Sequence, residues 1–202
     1  MNQQTIAIAI LAGGASKRFG GIKLLAKIHN HSLLSHSVQT LQNLHYPLFV
    51  ILGANREEIA PTLKTNIITN KEHQKGIASS IVVATKELHN YDAILFCLAD
   101  QPLILIKHYQ NILDIYRKFS CEIVATKYTK DEQEIVGNPA LFSKNCYKDL
   151  LALKGDKGAK SLITSAQHKV RTVECNEAKY DIDTKEDLEL VRQRLSQTLR
   201  QP

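Results

Sequence analysis

The chain has 202 residues, of which 44% are hydrophobic and 23% charged, the profile of one soluble globular domain able to bury a full core. Its formal net charge is +6, but the Lys and Arg residues are spread along the chain without the interleaved aromatics on which bases stack, which argues against nucleic acid as a partner. The longest apolar run, Ile6 to Ala15, is too short to span a bilayer, and the four cysteines form no CxxC pair, which argues against a membrane span, a metal knuckle and a disulfide framework.

Hydrophobic patterning predicts alternating strands and helices. Thr5–Leu11 reads as the first strand and is followed at once by a glycine-rich loop. Leu33–Leu44 has apolar residues at helical spacing, whereas Leu48–Leu52 is the continuous apolar run of a strand buried on both faces. A short helix over Arg56–Leu63, a strand over Asn66–Asn70, a helix over Gly76–Leu88 and a buried strand over Ala93–Leu98 follow. Ile106–Phe119 is helical, and Glu122–Lys127 returns as a strand. The rhythm then breaks. Glu134–Phe142 reads as a strand-containing insertion, with helices near Asn145–Leu153 and Ala159–Ala166, a strand over Val170–Glu174 and a last helix over Thr184–Leu199, capped by Asp183 or Thr184. The fold class expected is α/β: a doubly wound, mainly parallel sheet with helices on both faces, in a single domain spanning residues 1–202. Ligands then bind outside the carboxyl ends of the strands. With no cationic leader in Met1–Thr5, a cytoplasmic location is expected.

The loop after the first strand reads Leu11-Ala12-Gly13-Gly14-Ala15-Ser16-Lys17-Arg18-Phe19-Gly20-Gly21-Ile22-Lys23. Its glycines allow close backbone approach to a ligand, and its amides can form an anion-binding concavity. Arg18 can grip phosphate oxygens bidentately, and Lys23 can act on them as a point charge. Five residues separate Gly14 from Gly20 and no Lys-Ser/Thr follows, so this is not a Walker loop; adjacency of Gly13 and Gly14 also breaks the dinucleotide fingerprint. Asp100 ends the strand Ala93–Leu98 at the same sheet edge. A hard carboxylate beside a polyphosphate suits Mg²⁺, although a helix cap after Pro102 is the alternative role. The segment Asp181 to Asp187 reads as the N-terminal cap of the last helix. Asn70, at a strand end, can reach base or ribose, and Gly76, Ser79 and Ser80 can approach the nucleotide from the start of the next helix, where Ser-Ser also serves as a helix start.

Taken in order, these segments resemble the molybdenum cofactor cytidylyltransferases of the MobA-like NTP transferase superfamily. The loop resembles L-A-(G/A)-G-x-S-x-R-(F/M)-G-x-x-K, and Asn70 to Ile81 resembles N-x-x-(W)-x-x-G-M-A-S-S-L. Gly137-Asn138-Pro139-Ala140-Leu141-Phe142 is similar to G-H-P-x-L-F, Leu153 to Lys160 to L-x-G-D-x-G-A-R, and Asp181 to Leu188 to D-I-D-T-P-E-D-L. The resemblance implies a Rossmann-like, GT-A-like nucleotidyltransferase that moves CMP from CTP, with Mg²⁺, to a phosphorylated small-molecule acceptor of molybdopterin type, releasing pyrophosphate. A recipient molybdoenzyme is the partner it suggests. It implies nucleotide contacts from Leu11, Ala12, Gly13, Gly14, Ser16, Arg18 and Lys23, acceptor contacts from Gly137, Asn138, Pro139, Asp156 and Lys160, and metal ligation by Asp100 together with Asp183, Asp181 being the other candidate for the second ligand. Residues 1–105 would then hold the nucleotide and 106–202 the acceptor. Departures from the pattern are His73 for Trp, Val82 where an Arg is common, Asn138 for His, Lys160 for Arg and Lys185 for Pro. Gly13-Gly14 matches the L-A-G-G of the guanylyltransferase branch where the cytidyl branch reads L-A-A-G, so GTP stands beside CTP. Another phosphorylated metabolite as acceptor, and a non-catalytic module that shelters a pterin cofactor, are the other readings open.

Overall fold

A computed structural model describes residues 4–14, 16, 18–156 and 158–198. Ala15, Lys17 and Lys157, and Leu199 at the end of the expected last helix, lie outside them. Strand β1 (Ile6–Ala12) is buried over its whole length. The loop after it leads through a 3₁₀ turn at Lys23–Leu25 into a small hairpin, β2 (Lys27–Ile28) and β3 (His31–Ser32), and then into α1 (Leu33–Gln42), capped by the Ser32 hydroxyl accepting from the Ser35 N–H. Next come β4 (Leu48–Leu52), α2 (Arg56–Ile59), β5 (Asn66–Thr69), α3 (Ile77–Glu87), β6 (Ala93–Leu98) and α4 (Ile106–Lys118). The chain closes with β7 (Ile123–Lys130), β8 (Gln133–Ser143), α5 (Tyr147–Leu151), α6 (Lys160–Thr164), β9 (Val170–Glu174) and α7 (Lys185–Thr198).

The seven-stranded sheet runs β5-β4-β1-β6-β8-β7-β9, and only β8 is antiparallel to its neighbours. Alternate residues of β1 serve opposite faces, as the strand period of two demands. Ile6, Ile8 and Ile10 join the core under α1, α4 and α7, while Ala7, Ala9 and Leu11 join the core under α3, α5 and α6. This is the expected doubly wound architecture. Among the described residues no helix is long and apolar enough to cross a membrane.

Several element boundaries differ from expectation, each for a local reason. The helix expected over Arg56–Leu63 ends at Ile59 and passes into a 3₁₀ turn over Ala60–Thr62, where Pro61 has no N–H to continue an α-helix. Gly76 has φ +90 and stands outside α3, which begins at Ile77. The helices near Asn145–Leu153 and Ala159–Ala166 shorten to α5 and α6. The strand expected within Glu134–Phe142 is present, but it is no insertion: as the eleven-residue β8 it lies inside the sheet between β6 and β7. Its register against β7 jumps from Ala125↔Ala140 to Thr126↔Gly137, leaving Asn138 and Pro139 in a bulge.

Candidate functional site

The site forms where β1 and β6 end side by side, with Leu11 paired to Leu98. Beyond β1 the chain turns through Ser16, whose carbonyl accepts the Phe19 N–H. Phe19 and Leu24 are buried and pin the loop to the core from both ends. Lys23 is thereby held at the base of the cleft, only 8% exposed. Its ammonium lies 2.8 Å from Asp100 Oδ2 and 3.4 Å from Asp183 Oδ1. Arg18 meets the other oxygen of Asp183 at 2.7 Å. Residues separated by up to 165 positions are thus joined in one chain of alternating charge, Arg18–Asp183–Lys23–Asp100.

Both carboxylates are fixed from behind. The Asp100 carbonyl accepts the Ile182 N–H at 3.0 Å, which ties the two acidic segments together. Asp187 accepts from the amides of Asp183 and Thr184, and the Thr184 hydroxyl accepts from the Asp187 N–H in return. This reciprocal arrangement is a capping box. Thr184 and Asp187 therefore start α7, and the Asp183 carboxylate is left for the cleft. Asp181 sits apart, 3.7 Å from Lys130; burial, more than its neighbours Asp100 and Asp183, pushes its carboxyl above the usual range.

Three adjoining cavities meet at this charged chain. A cavity of about 290 Å³ is lined by Leu11, Ala12, Gly14, Ser16, Arg18, Lys23, Asp100 and Asp183. One of about 820 Å³ shares Leu11, Gly14 and Asp100 with it and extends over Gly13, His73, Gln74, Gly76, Ile77, Ser80 and Asp156. On the far side, one of about 560 Å³ shares Arg18 and Asp183 and is walled by Thr129, Lys130, Lys179, Tyr180 and Asp181.

Of the loop after β1, Leu11, Ala12, Gly14, Ser16, Arg18 and Lys23 line the smaller cavity and Gly13 lines the larger. Asn70 does not reach the cleft. It is 1% exposed, its amide donates to the Ser79 and Ser80 hydroxyls at 2.8 and 3.0 Å, and its oxygen accepts the Glu72 N–H. The expected contact with base or ribose is corrected to a positioning role, because the group is buried and both its N–H donors are spent on the two serines. Ser79 bonds back to the Gly76 carbonyl, while Ser80 faces the large cavity. Gly13 must be small: a methyl there would lie 2.8 Å from Ser80 Oγ, whereas Gly14 opens onto free space.

The expected acceptor residues divide. Asp156 lines the large cavity beside Gly76, and the Ala78 N–H bonds the Gly155 carbonyl at 3.1 Å. Asn138 and Pro139 sit in the β8 bulge behind a cis peptide bond, where the Pro139 carbonyl accepts the Thr126 hydroxyl. Gly137, Asn138 and Lys160 line none of the three cavities, and Lys160 is exposed at the start of α6. Sequence reading assigned no role to Lys130, Lys179 or Tyr180; the last two adjoin Asp181 in the chain, whereas Lys130 reaches it because β7 packs against the segment after β9.

Among the described residues no cluster of three or more His, Cys, Asp or Glu side chains is arranged to hold a metal ion. Two carboxylates do suit Mg²⁺, which takes one or two and completes its shell with phosphates and water. Asp100 Oδ1 fits that role: it is buried and accepts no hydrogen bond from any described residue, a costly state for a carboxylate oxygen without a partner.

Known proteins resemble this chain over nearly all its length. Purine catabolism protein PucB of Bacillus subtilis is 28% identical, over 92% of this chain and 95% of that protein. The crystal structure of Rv0371c from Mycobacterium tuberculosis is 25% identical, covers 95% of this chain and 99% of that one, and superposes with a TM-score of 0.78; a manganese complex of Rv0371c is also known. Molybdopterin-guanine dinucleotide biosynthesis protein A from Archaeoglobus fulgidus shares the fold at 15% identity, with a TM-score of 0.73 over 95% of this chain and 99% of that one. The MobA-like NTP transferase domain matches residues 8–171, and the chain belongs to that family of nucleotidyltransferases.

Proposed function

We propose that the protein transfers CMP from CTP to a phosphorylated acceptor of molybdopterin type, with release of pyrophosphate and dependence on Mg²⁺. The observation that carries this reading is the Arg18–Asp183–Lys23–Asp100 chain at the junction of three cavities. The nucleoside would occupy the large cavity over Gly13, Gly14 and Ser80, with its phosphates turned toward Arg18 and Lys23. Asp100 and Asp183 would hold Mg²⁺, which when bound neutralises charge on the reacting phosphates. An acceptor phosphate oxygen attacks the α-phosphorus in line, the new P–O bond forms as the bond to the β-phosphate oxygen breaks, and pyrophosphate leaves. The acceptor phosphate is largely ionised at neutral pH, so no general base is required. Positioning and charge neutralisation by Arg18 and Lys23 supply the catalysis. The product would pass to a recipient molybdoenzyme.

Two features support the pterin acceptor and the nucleotide choice in different degrees. The ordered motifs at 137–142, 153–160 and 181–188 resemble those of the molybdenum cofactor branch, whereas Gly13-Gly14 favours a roomier base site, and GTP is the second nucleotide to test. Pyrophosphate release should be measured with CTP, GTP and UTP in the presence of Mg²⁺ and molybdopterin. Release with CTP and molybdopterin is expected. Release with none of the three nucleotides would favour a cofactor-sheltering module instead.

A further inference from the structure

We propose that Lys23 is a placeholder cation: its ammonium holds the metal-binding carboxylates in the nucleotide-free protein, so that a divalent ion enters together with the triphosphate and not before it. The proposal rests on the reading above for the metal ligands and for a triphosphate in the cleft, and is independent of which nucleoside that triphosphate carries.

The geometry makes the case oxygen by oxygen. Asp100 and Asp183 offer four carboxylate oxygens. Lys23 engages Asp100 Oδ2 at 2.8 Å and Asp183 Oδ1 at 3.4 Å, and Arg18 engages Asp183 Oδ2 at 2.7 Å. The fourth, Asp100 Oδ1, is buried and unbonded among the described residues. Two cations thus balance two anions, and the space between the carboxylates is spanned by the ammonium. A divalent ion arriving alone would face a lysine whose side chain is only 10% exposed, in surroundings where screening by water is reduced. It would have to displace that lysine without offering it another anion.

A triphosphate changes the balance. It supplies oxygens to which Lys23 and Arg18 can turn, and it frees three carboxylate oxygens at once. The moving parts are the Lys23 and Arg18 side chains, because the backbone at Lys23 and the two segments that carry the carboxylates are anchored. Leu24 is buried, the Lys23 carbonyl accepts the Ala26 N–H, the Asp100 carbonyl accepts the Ile182 N–H, and the Asp183 amide is held by Asp187. Metal and nucleotide are then coupled by thermodynamic linkage: each strengthens the other's binding by the same factor. Lys23 acts here as a positioning residue for the metal, in addition to its role toward phosphate.

The test uses Mn²⁺ as the probe, with free Mn²⁺ read by electron paramagnetic resonance. Wild type, Lys23→Met and Lys23→Arg are titrated with and without α,β-methylene-CTP. Wild type and Lys23→Arg should bind Mn²⁺ at least tenfold more weakly without the nucleotide analogue than with it. Lys23→Met should bind Mn²⁺ alone at least tenfold more tightly than wild type, and adding Asp100→Asn should abolish that gain. Lys23→Gln gives the same comparison should the methionine variant fail to fold by circular dichroism. Equal affinity of wild type and the neutral variants for Mn²⁺ alone would overturn the proposal. The comparison without nucleotide stands even if no pyrophosphate is released with any nucleoside triphosphate, so the two readings fail separately.

Discussion

The carboxylate of Asp187 accepts the backbone N–H of Asp183 at 3.0 Å, so that of two acidic residues four positions apart one builds the helix start and the other is presented to the cleft. Asp187→Ala should therefore do two things. Loss of the cap should lower stability by about 0.5–2 kcal/mol, and turnover should drop because Asp183 is no longer held against Lys23. Burial pushes the Asp187 carboxyl up, but the amides of Asp183 and Thr184 and the Thr184 hydroxyl outweigh it and hold the group below the usual carboxylate range. Its contribution is accordingly present above the ordinary carboxylate pKa and lost as pH falls through the lower folded value. Urea midpoints at neutral and acid pH check this, and an unchanged midpoint for Asp187→Ala at neutral pH would refute the capping role.

Asp100→Asn and Asp183→Asn should each reduce Mg²⁺-dependent turnover by about 10²–10³-fold, since an amide lacks the charge a hard cation requires. Asp181→Asn should have a smaller effect, because its carboxylate stands with Lys130 and outside the Lys23 pair. Magnesium titrations decide the matter. The same half-saturation for wild type and Asp100→Asn contradicts the assignment.

Much of this site is legible in the sequence because the ends of parallel strands must share one edge. An apolar run followed by glycines and cations, and a second run ending in Asp100, bring Lys23 and Asp100 together by topology alone. Asp183 comes from the far end of the chain, and its motif places it in the site once the capping is seen to fall to Thr184 and Asp187. Asn70 is misleading because a polar residue at a strand end looks like a ligand contact, and only the surrounding hydroxyls show that both its N–H donors are taken. A strand over Glu134–Phe142 is legible, but its antiparallel place between β6 and β7 is not, because Gly137 and Pro139 interrupt its pattern at the bulge and nothing in the alternation of strands and helices marks a reversal.

Base preference should respond differently to the two adjacent glycines. Gly14→Ala meets no atom within 4 Å, so it should fold normally and narrow the cleft, shifting the CTP/GTP ratio of kcat/KM by at most about 10- to 200-fold. Gly13→Ala presses on the Ser80 hydroxyl, which Asn70 holds, and should weaken both nucleotides together. Steady-state kinetics on both variants test this. An unchanged ratio in Gly14→Ala would remove that position from base selection.

Stability should also fall on mild acidification, through a group far from the acidic cluster. Burial pushes the His108 imidazole down to about 4. The Thr126 hydroxyl spends its proton on the Pro139 carbonyl, so its oxygen accepts from His108 Nε2–H at 2.8 Å, and the ring is neutral in the folded protein. An unfolded histidine gains its proton near pH 6.5. Stability is thus retained above that pH and lost progressively from about 6.5 down to about 4. Denaturation midpoints across this window should slope less steeply in His108→Gln than in wild type; equal slopes would assign the effect elsewhere, with His36, also lowered by burial, the next group to replace.

The turn at Gly76 has a bearing on how the two substrates sense one another. A side chain there would collide with the Asp156 carboxylate and lie 2.6 Å from the Gly155 carbonyl, and the first turn of α3 is stitched to Gly155 through the Ala78 N–H. The start of α3 and the turn that leads toward α6 are therefore joined at one point on the wall of the large cavity, and a displacement of either segment there is carried to the other.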